Sequence, residues 1–273
     1  MKKIKIAILV FVTILNVSCS HAKETSGSFV DPPVSVLNLT TSTAELAIEY
    51  DSPFRRAEIL AEQATIDDGV DNSWALFIIN AKNPLPPEYA PSLASIGSYE
   101  GSERFFDARA SDYAILMMEA AFNDDITLIP VSSYRSIERQ TINFENYFNN
   151  LISEGYLQDD AFDYVSSQIA IPNTSEHNAG LAIDFNIIEE WFDQTLEFNW
   201  LQENAYRFGF ILRYPKGTTD ITQIIYEPWH FRFVGLYHAE RIYNLGVTLE
   251  EYVGVCNNDN STIVAFKQEL FSH

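Results

Sequence analysis

Four side chains in two short stretches constrain this chain more than any other feature. His177 and Asp184 lie in the first stretch, and Glu227 and His230 lie in the second. Two imidazoles, a carboxylate ligand and a further glutamate are the inventory of a catalytic zinc site, in which three protein ligands leave a fourth position for water. We therefore interpret His177, Asp184 and His230 as the ligands of one zinc ion. Glu227 would be the base that accepts a proton from water.

Two of these residues also have a purely structural interpretation. Asp184 lies within an apolar segment, where an unpaired carboxylate is unfavourable to bury, so it needs zinc, a salt bridge or a turn as its partner. Glu227 lies three residues before His230, and on a regular strand the two side chains would face opposite sides. Pro228 would disrupt the strand and let both side chains approach one metal. Without that bend, Glu227 would be a surface residue.

Arg135 is a further candidate because it follows a predicted buried strand and would lie at an end of the sheet. An arginine there can make a bidentate contact with a substrate carboxylate. The alternative is a surface cation that pairs with one of the many acids. Gln140 lies one helical turn beyond Ser136 and would face the same cleft. His238 lies on a polar helix face, and we expect it to be structural.

Composition limits the possible partners. The chain has 273 residues, enough for one sizeable domain with or without a tail, and 47% of them are hydrophobic. A net charge of -21 and a pI near 4.4 argue against nucleic acid as a partner. The two cysteines are Cys19 and Cys256, so the sequence does not predict a disulfide scaffold.

Residues 1–22 have the pattern of a signal peptide. Three lysines precede an apolar run, residues 6–15, which is too short to span a bilayer. Two processing sites compete. Cys19 ends a lipoprotein-like box and would carry a membrane-anchoring lipid, although Asn16 replaces the usual leucine. Alternatively, an ordinary cleavage would follow Ala22. Either route predicts a location outside the cytoplasm: secreted, periplasmic or lipid-anchored at the cell envelope.

Hydrophobic periodicity predicts the elements of one catalytic domain. Apolar runs predict strands over residues 75–80, 126–132, 181–185, 210–214, 224–226 and 229–234. Helical spacing predicts helices over residues 112–122, with Ser111 as the N-cap, and over 137–151, 199–208, 236–245 and 249–253. Helices and strands do not alternate one to one. The expected fold class is therefore α+β, with a small, mostly antiparallel sheet flanked by helices.

The same features predict the organisation of the whole chain. The signal peptide would be followed by a spacer with short helices over residues 23–72. The catalytic domain would occupy residues 73–255, and residues 256–273 would form a C-terminal tail.

Several ordered motifs resemble those of the VanY-type D-alanyl-D-alanine carboxypeptidases. The family pattern Ser-x-His-x-x-Gly-x-Ala-x-Asp is matched from Ser175 to Asp184, and Glu-x-x-His, with tryptophan before the histidine, is matched from Glu227 to His230. Tyr-Arg-Ser followed by glutamine is matched by residues 134–136 and Gln140. The resemblance spans roughly residues 74–253. It implies a hedgehog/DD-peptidase fold.

The resemblance also implies a function: a zinc metallopeptidase that removes the terminal D-alanine from peptidoglycan stem peptides. In the matching positions, His177, Asp184 and His230 would bind one zinc ion, with Glu227 as the catalytic base. Arg135 would stabilise the oxyanion or hold the terminal carboxylate. Ser175, Gln140 and Tyr214 would contact the substrate. The expected state is a monomer. Three positions where the family usually has glycine differ here: Ser133, Asn173 and Gln223.

The sequence is compatible with three alternative functions. An L,D-carboxypeptidase would act on tetrapeptide stems and differ in the residue before the bond. A dipeptidase restricted to free D-alanyl-D-alanine would need insertions that close the cleft. A zinc-holding binding module without catalysis would be expected to lack Glu227, which is present.

Overall fold

The computed structural model describes residues 52–68 and 73–254. The predicted signal peptide, both cysteines and the predicted C-terminal tail lie outside the described residues. The predicted division into domains therefore stays a prediction.

Eight α-helices and six strands form in the described residues. The helices are α1 (Pro53–Asp68), α2 (Ser111–Asn123), α3 (Ile137–Ser153), α4 (Gln158–Gln168), α5 (Leu196–Asn204), α6 (Thr219–Thr222), α7 (Leu236–Leu245) and α8 (Leu249–Val253). The strands are β1 (Leu93–Tyr99), β2 (Ser102–Asp107), β3 (Pro130–Ser132), β4 (Ala182–Phe185), β5 (Phe210–Leu212) and β6 (His230–Phe233). Short 3₁₀ helices cover Ser73–Ala75, Glu190–Gln194 and Ala205–Phe208.

A four-stranded antiparallel sheet with strand order β3-β4-β6-β5 positions the candidate site. Its central pair, β4 and β6, places Asp184 directly opposite His230. Since successive side chains on a strand point to opposite faces, the neighbouring Ile183 and Phe231 face away from this pair and enter the main apolar core. The predicted α+β class with a small antiparallel sheet is confirmed.

A second sheet is the β1–β2 hairpin, which the sequence analysis did not predict. Tyr99 pairs with Ser102 across a two-residue loop, Glu100 and Gly101, both with positive φ (51° and 73°). Positive φ at both positions is the signature of a type I′ turn, for which Asn-Gly or Asp-Gly is the usual sequence signal. Glutamate in the first position hides that signal.

Helix α1 packs against the catalytic part of the chain. Ala57 is fully buried, and the Phe54 ring lies 4.8 Å from the Phe208 ring. The Arg207 guanidinium covers the Phe54 ring at 3.6 Å. Part of the segment predicted as a spacer is therefore in contact with the domain core.

Some predicted elements are confirmed and others are wrong. Helices 236–245 and 249–253 have the predicted bounds, and each is followed by a glycine with positive φ. The helix predicted over 199–208 is α5 followed by a 3₁₀ turn. Ser111 is the first residue of α2, not its N-cap: Ala110 occupies that position and makes no side-chain capping bond.

The predicted strands 75–80 and 224–226 are wrong, and 126–132 is a strand only over its last three residues. In each case side chains form hydrogen bonds with backbone amides or carbonyls that would otherwise pair with a neighbouring strand. Arg232 donates to the carbonyls of Ala75 and Phe77. Asn186 accepts from the Ile129 amide and donates to the Thr127 carbonyl. The Thr222 hydroxyl bonds both backbone groups of Ile224.

Candidate metal centre

The structure brings together His177, Asp184 and His230. Their possible ligand atoms all lie within 4.8 Å of one another, and all three residues are buried. Asp184 Oδ2 is 3.2 Å from His177 Nε2, and Asp184 Oδ1 is 3.2 Å from His230 Nδ1. The sheet register supplies Asp184 and His230, whereas His177 comes from the loop before β4.

Gly180 lets this loop turn back toward β4. Its φ is +70°, a backbone conformation that disfavours residues with a Cβ. A Cβ there would also lie 3.1 Å from the Asp107 amide nitrogen and 3.3 Å from a Leu93 methyl group. The glycine of the motif therefore permits close packing of the histidine loop on the β1–β2 hairpin.

Both imidazoles are oriented by a hydrogen bond on the side away from Asp184. His177 Nδ1 lies 2.7 Å from the Ser133 carbonyl, which can only accept, so Nδ1 carries the proton and Nε2 offers its lone pair. His230 Nε2 lies 3.3 Å from Glu176 Oε2, which likewise leaves Nδ1 facing Asp184. Such outer partners fix the tautomer and orientation of metal-binding histidines.

The chemistry of this donor set fits zinc. Asp184 Oδ1 is buried and has no hydrogen-bond partner, although His230 Nδ1 is only 3.2 Å away. A cation between the two atoms would satisfy both. Nitrogen and oxygen ligands at three corners of a site, with a fourth position open, are typical of catalytic zinc.

Glu227 lies beside this group. Its Oε2 is 3.3 Å from His230 Nδ1, and the residue is 7% exposed. The bend that the sequence analysis expected at Pro228 is a turn, closed by a hydrogen bond from the His230 amide to the Glu227 carbonyl (3.2 Å). Proline suits the second position of such a turn. The turn brings both side chains to the same side.

The protonation of the metal-free centre follows from burial and its carboxylates. Burial raises the pKa of Glu227 to about 8, and the nearby Asp184 charge acts in the same direction. Burial opposes the charge of His230, but the neighbouring carboxylates of Asp184 and Glu176 prevail and raise its pKa to about 9. Binding of a metal cation would therefore release a proton from His230.

Arg135 points toward the same centre. One of its Nη atoms is 3.8 Å from Asp184 Oδ2, and the side chain is 18% exposed. Its Nη1 donates to Gln140 Oε1 (2.7 Å) and its Nη2 to the Ser132 hydroxyl (2.9 Å). Gln140 is fully buried, and its Nε2 donates to the Ala170 carbonyl. Both ends of the Gln140 amide are thus engaged within the protein.

The remaining predicted contacts also line the cleft around these residues, which has a volume of about 250 Å³. The Ser175 hydroxyl accepts from the His177 amide at 3.3 Å. The Tyr214 ring lies 4.8 Å from the His230 ring, and burial raises the Tyr214 pKa well above its usual range. His238 is separate from the cleft: its Nδ1 lies 2.9 Å from the Tyr252 hydroxyl.

A buried ionic group lies behind His230 and was not predicted from the sequence. Glu176 is flanked by Arg213, at 2.6 Å, and Arg232, at 2.8 Å, and Arg213 also binds Glu250. Burial opposes the Glu176 charge, but the two guanidinium groups hold its pKa well below its usual range. The available signal was an arginine inside each of two apolar strand segments, since a buried arginine needs acidic partners.

The sequence is similar to known cell-wall peptidases. The family model VanY, D-alanyl-D-alanine carboxypeptidase, matches residues 103–236, which include all the residues of the candidate centre. A D-alanyl-D-alanine carboxypeptidase of Enterococcus faecalis is 36% identical over 187 residues, which cover 68% of this chain and 68% of the relative.

Solved structures agree with this similarity. A VanY D,D-pentapeptidase mutant from a VanB-type vancomycin resistance cassette, in complex with Zn(II), superposes with a TM-score of 0.59 and 37% identity. The match covers 66% of this chain and 99% of that one. The LdcB LD-carboxypeptidase superposes with a TM-score of 0.56 and 36% identity, over 65% of this chain and 84% of that one.

Proposed function

The chain belongs to the VanY family, and we propose that it is a zinc-dependent D-alanyl-D-alanine carboxypeptidase. It removes the terminal D-alanine from peptidoglycan stem peptides. His177, Asp184 and His230 hold one zinc ion, and Glu227 is the base. The observation that carries this proposal is the position of Glu227, whose buried carboxylate lies 3.3 Å from the metal-facing nitrogen of His230.

Zinc in this centre would polarise the scissile carbonyl and lower the pKa of a bound water. Glu227 accepts a proton from the attacking water and later passes it to the leaving amine. No nucleophilic side chain of the protein is required.

Arg135 holds the terminal carboxylate of the substrate or stabilises the developing oxyanion. Ser132 and Gln140 fix its guanidinium, so we assign Gln140 a positioning role through Arg135. Ser175 and Tyr214 remain candidates for substrate contact because they line the cleft.

We expect Arg135→Lys to lower kcat/KM about 100-fold, because a point charge cannot reproduce the planar set of donors. Steady-state release of D-alanine by the variant and the wild type measures this effect. A rise in KM alone would indicate carboxylate binding, whereas a fall in kcat would indicate oxyanion stabilisation. Arg139→Lys, an arginine on the following turn, is the control. Wild-type kinetics for Arg135→Lys would contradict both roles.

An L,D-carboxypeptidase is the second candidate, because LdcB resembles this chain as strongly in sequence identity as the VanY structures do. Mass spectrometry of muropeptide products separates the two. We expect pentapeptide to lose one alanine and the reaction to stop at tetrapeptide. Cleavage of tetrapeptide would move the assignment to L,D specificity. If the wild type binds zinc but cleaves neither substrate, and its products do not differ from those of Glu227→Ala, the protein is a binding module.

Such a substrate places the enzyme outside the cytoplasm. None of the helices in the described part of the chain is long and apolar enough to cross a membrane. We propose export through residues 1–22, followed either by lipidation of Cys19 or by cleavage after Ala22, and a monomeric enzyme. The intact mass of the mature protein separates a lipid on Cys19 from an N-terminus at Lys23.

A further inference from the structure

A buried row of alternating charges connects the candidate metal centre to the helix α8. His230 Nε2 lies 3.3 Å from Glu176 Oε2, and Arg213 Nε donates to the other Glu176 oxygen at 2.6 Å. Arg213 Nη1 and Nη2 donate to the two Glu250 oxygens at 2.8 and 2.6 Å. We propose that Glu250 is a positioning residue for the metal centre, acting through Arg213 and Glu176 on His230.

Arg213 can couple the position of Glu250 to that of Glu176 because its guanidinium binds both carboxylates. The bidentate pair with Glu250 fixes the plane of the group, and such pairs add geometric specificity to their energy. The remaining donor, Nε, then meets Glu176 in one orientation. Both side chains of the Arg213–Glu176 pair are fully buried, so solvent offers neither of them a substitute partner.

The two carboxylate oxygens of Glu176 contact different partners. Oε1 lies near both arginines, at 2.6 Å from Arg213 and 2.8 Å from Arg232, which leaves Oε2 for the His230 ring. Arg232 has anchors of its own, since it donates to the carbonyls of Ala75 and Phe233. Arg213 is therefore the arginine whose orientation depends on Glu250.

The alternative is that Glu250 only fixes α8 to the domain. That helix has other attachments. Leu249 is fully buried in a cluster with Ile211 and Val234, and Thr248 and Glu251 form a capping box. Two adjacent glutamates thus have separate contacts: Glu251 caps α8, and Glu250 reaches Arg213. Comparing them distinguishes helix attachment from control of the metal centre.

The proposal rests on the metal-ligand role proposed for His230, and the test measures metal affinity. Glu250→Gln and Glu251→Gln are made in the full chain, and Zn(II) affinity is measured by competition with a chelator. We expect Glu250→Gln to weaken zinc binding about tenfold, as found for outer partners of metal ligands. Glu251→Gln, which removes the same charge from the next residue of α8 but leaves the row intact, should keep wild-type affinity.

Two further measurements make the result specific. Co(II) replaces Zn(II) as a probe, and its absorption spectrum should change in Glu250→Gln but not in Glu251→Gln. Glu250→Asp keeps the charge and should recover part of the Zn(II) affinity. If Glu250→Gln does not fold, Glu250→Asp is compared with the wild type in its place. Unchanged affinity and spectrum in Glu250→Gln, or an equal loss in both glutamine variants, would overturn the proposal. Failure of the wild type to bind zinc would overturn the proposed metal centre instead.

Discussion

Glu227→Gln is expected to reduce kcat for D-alanine release by about 1,000-fold, within the range that a positioned general acid–base contributes. Glutamine has nearly the same shape but cannot accept a proton from water. Since Glu227 is not one of the three proposed ligands, the variant should still bind one zinc ion per chain. Steady-state D-alanine release, with metal analysis of the same samples, measures both quantities.

The matched control is Glu189→Gln, which removes the charge of an exposed glutamate and should leave kcat unchanged. Two results would contradict the assignment. Near wild-type turnover in Glu227→Gln would remove Glu227 as the base. Loss of zinc together with activity would make Glu227 a ligand, because its carboxylate lies as close to His230 Nδ1 as that of Asp184 does, at 3.3 and 3.2 Å.

The candidate centre could be predicted from the sequence where its residues form a local pattern. An aspartate in an apolar strand and a proline beside a Glu-x-x-His sequence are local signals, and the structure brings these side chains together. Gln140 shows the limit of such reasoning. Its place one helical turn beyond Ser136 predicted a residue that faces the cleft, but not that Arg135 and the Ala170 carbonyl engage both ends of its amide.

What could not be predicted depends on partners far apart in sequence. Glu176 lies 37 positions from Arg213, and Arg213 lies 37 positions from Glu250, so no local pattern pairs them. The same limit explains the wrong strand at 75–80. Its apolar run resembles a buried strand, but Arg232, more than 150 residues later in the chain, binds the carbonyls of Ala75 and Phe77.

Zinc should also contribute to the stability of the fold, because its removal leaves buried acids close together. Asp184 and Glu227 both lie near His230 Nδ1, and Glu176 lies near the other ring nitrogen. In the metal-free protein, a proton on His230 partly compensates these charges, which is why its pKa is raised to about 9. A divalent cation compensates them more completely and must displace that proton.

Removal of zinc by a chelator is therefore expected to abolish D-alanine release and to lower the Tm by roughly 10 °C. Free zinc at about 1,000 times its Kd stabilises the folded state by about 4 kcal/mol, and each kcal/mol corresponds to about 2–4 °C in a domain of this size. Differential scanning calorimetry with and without chelator measures the shift. The shift should grow as the pH is raised from 6 to 8, because below the His230 pKa of about 9 zinc competes with a proton.

The control is His177→Ala, which removes one proposed ligand and should show little zinc-dependent shift in Tm. An equal shift in this variant and the wild type would place the stabilising zinc outside the proposed centre.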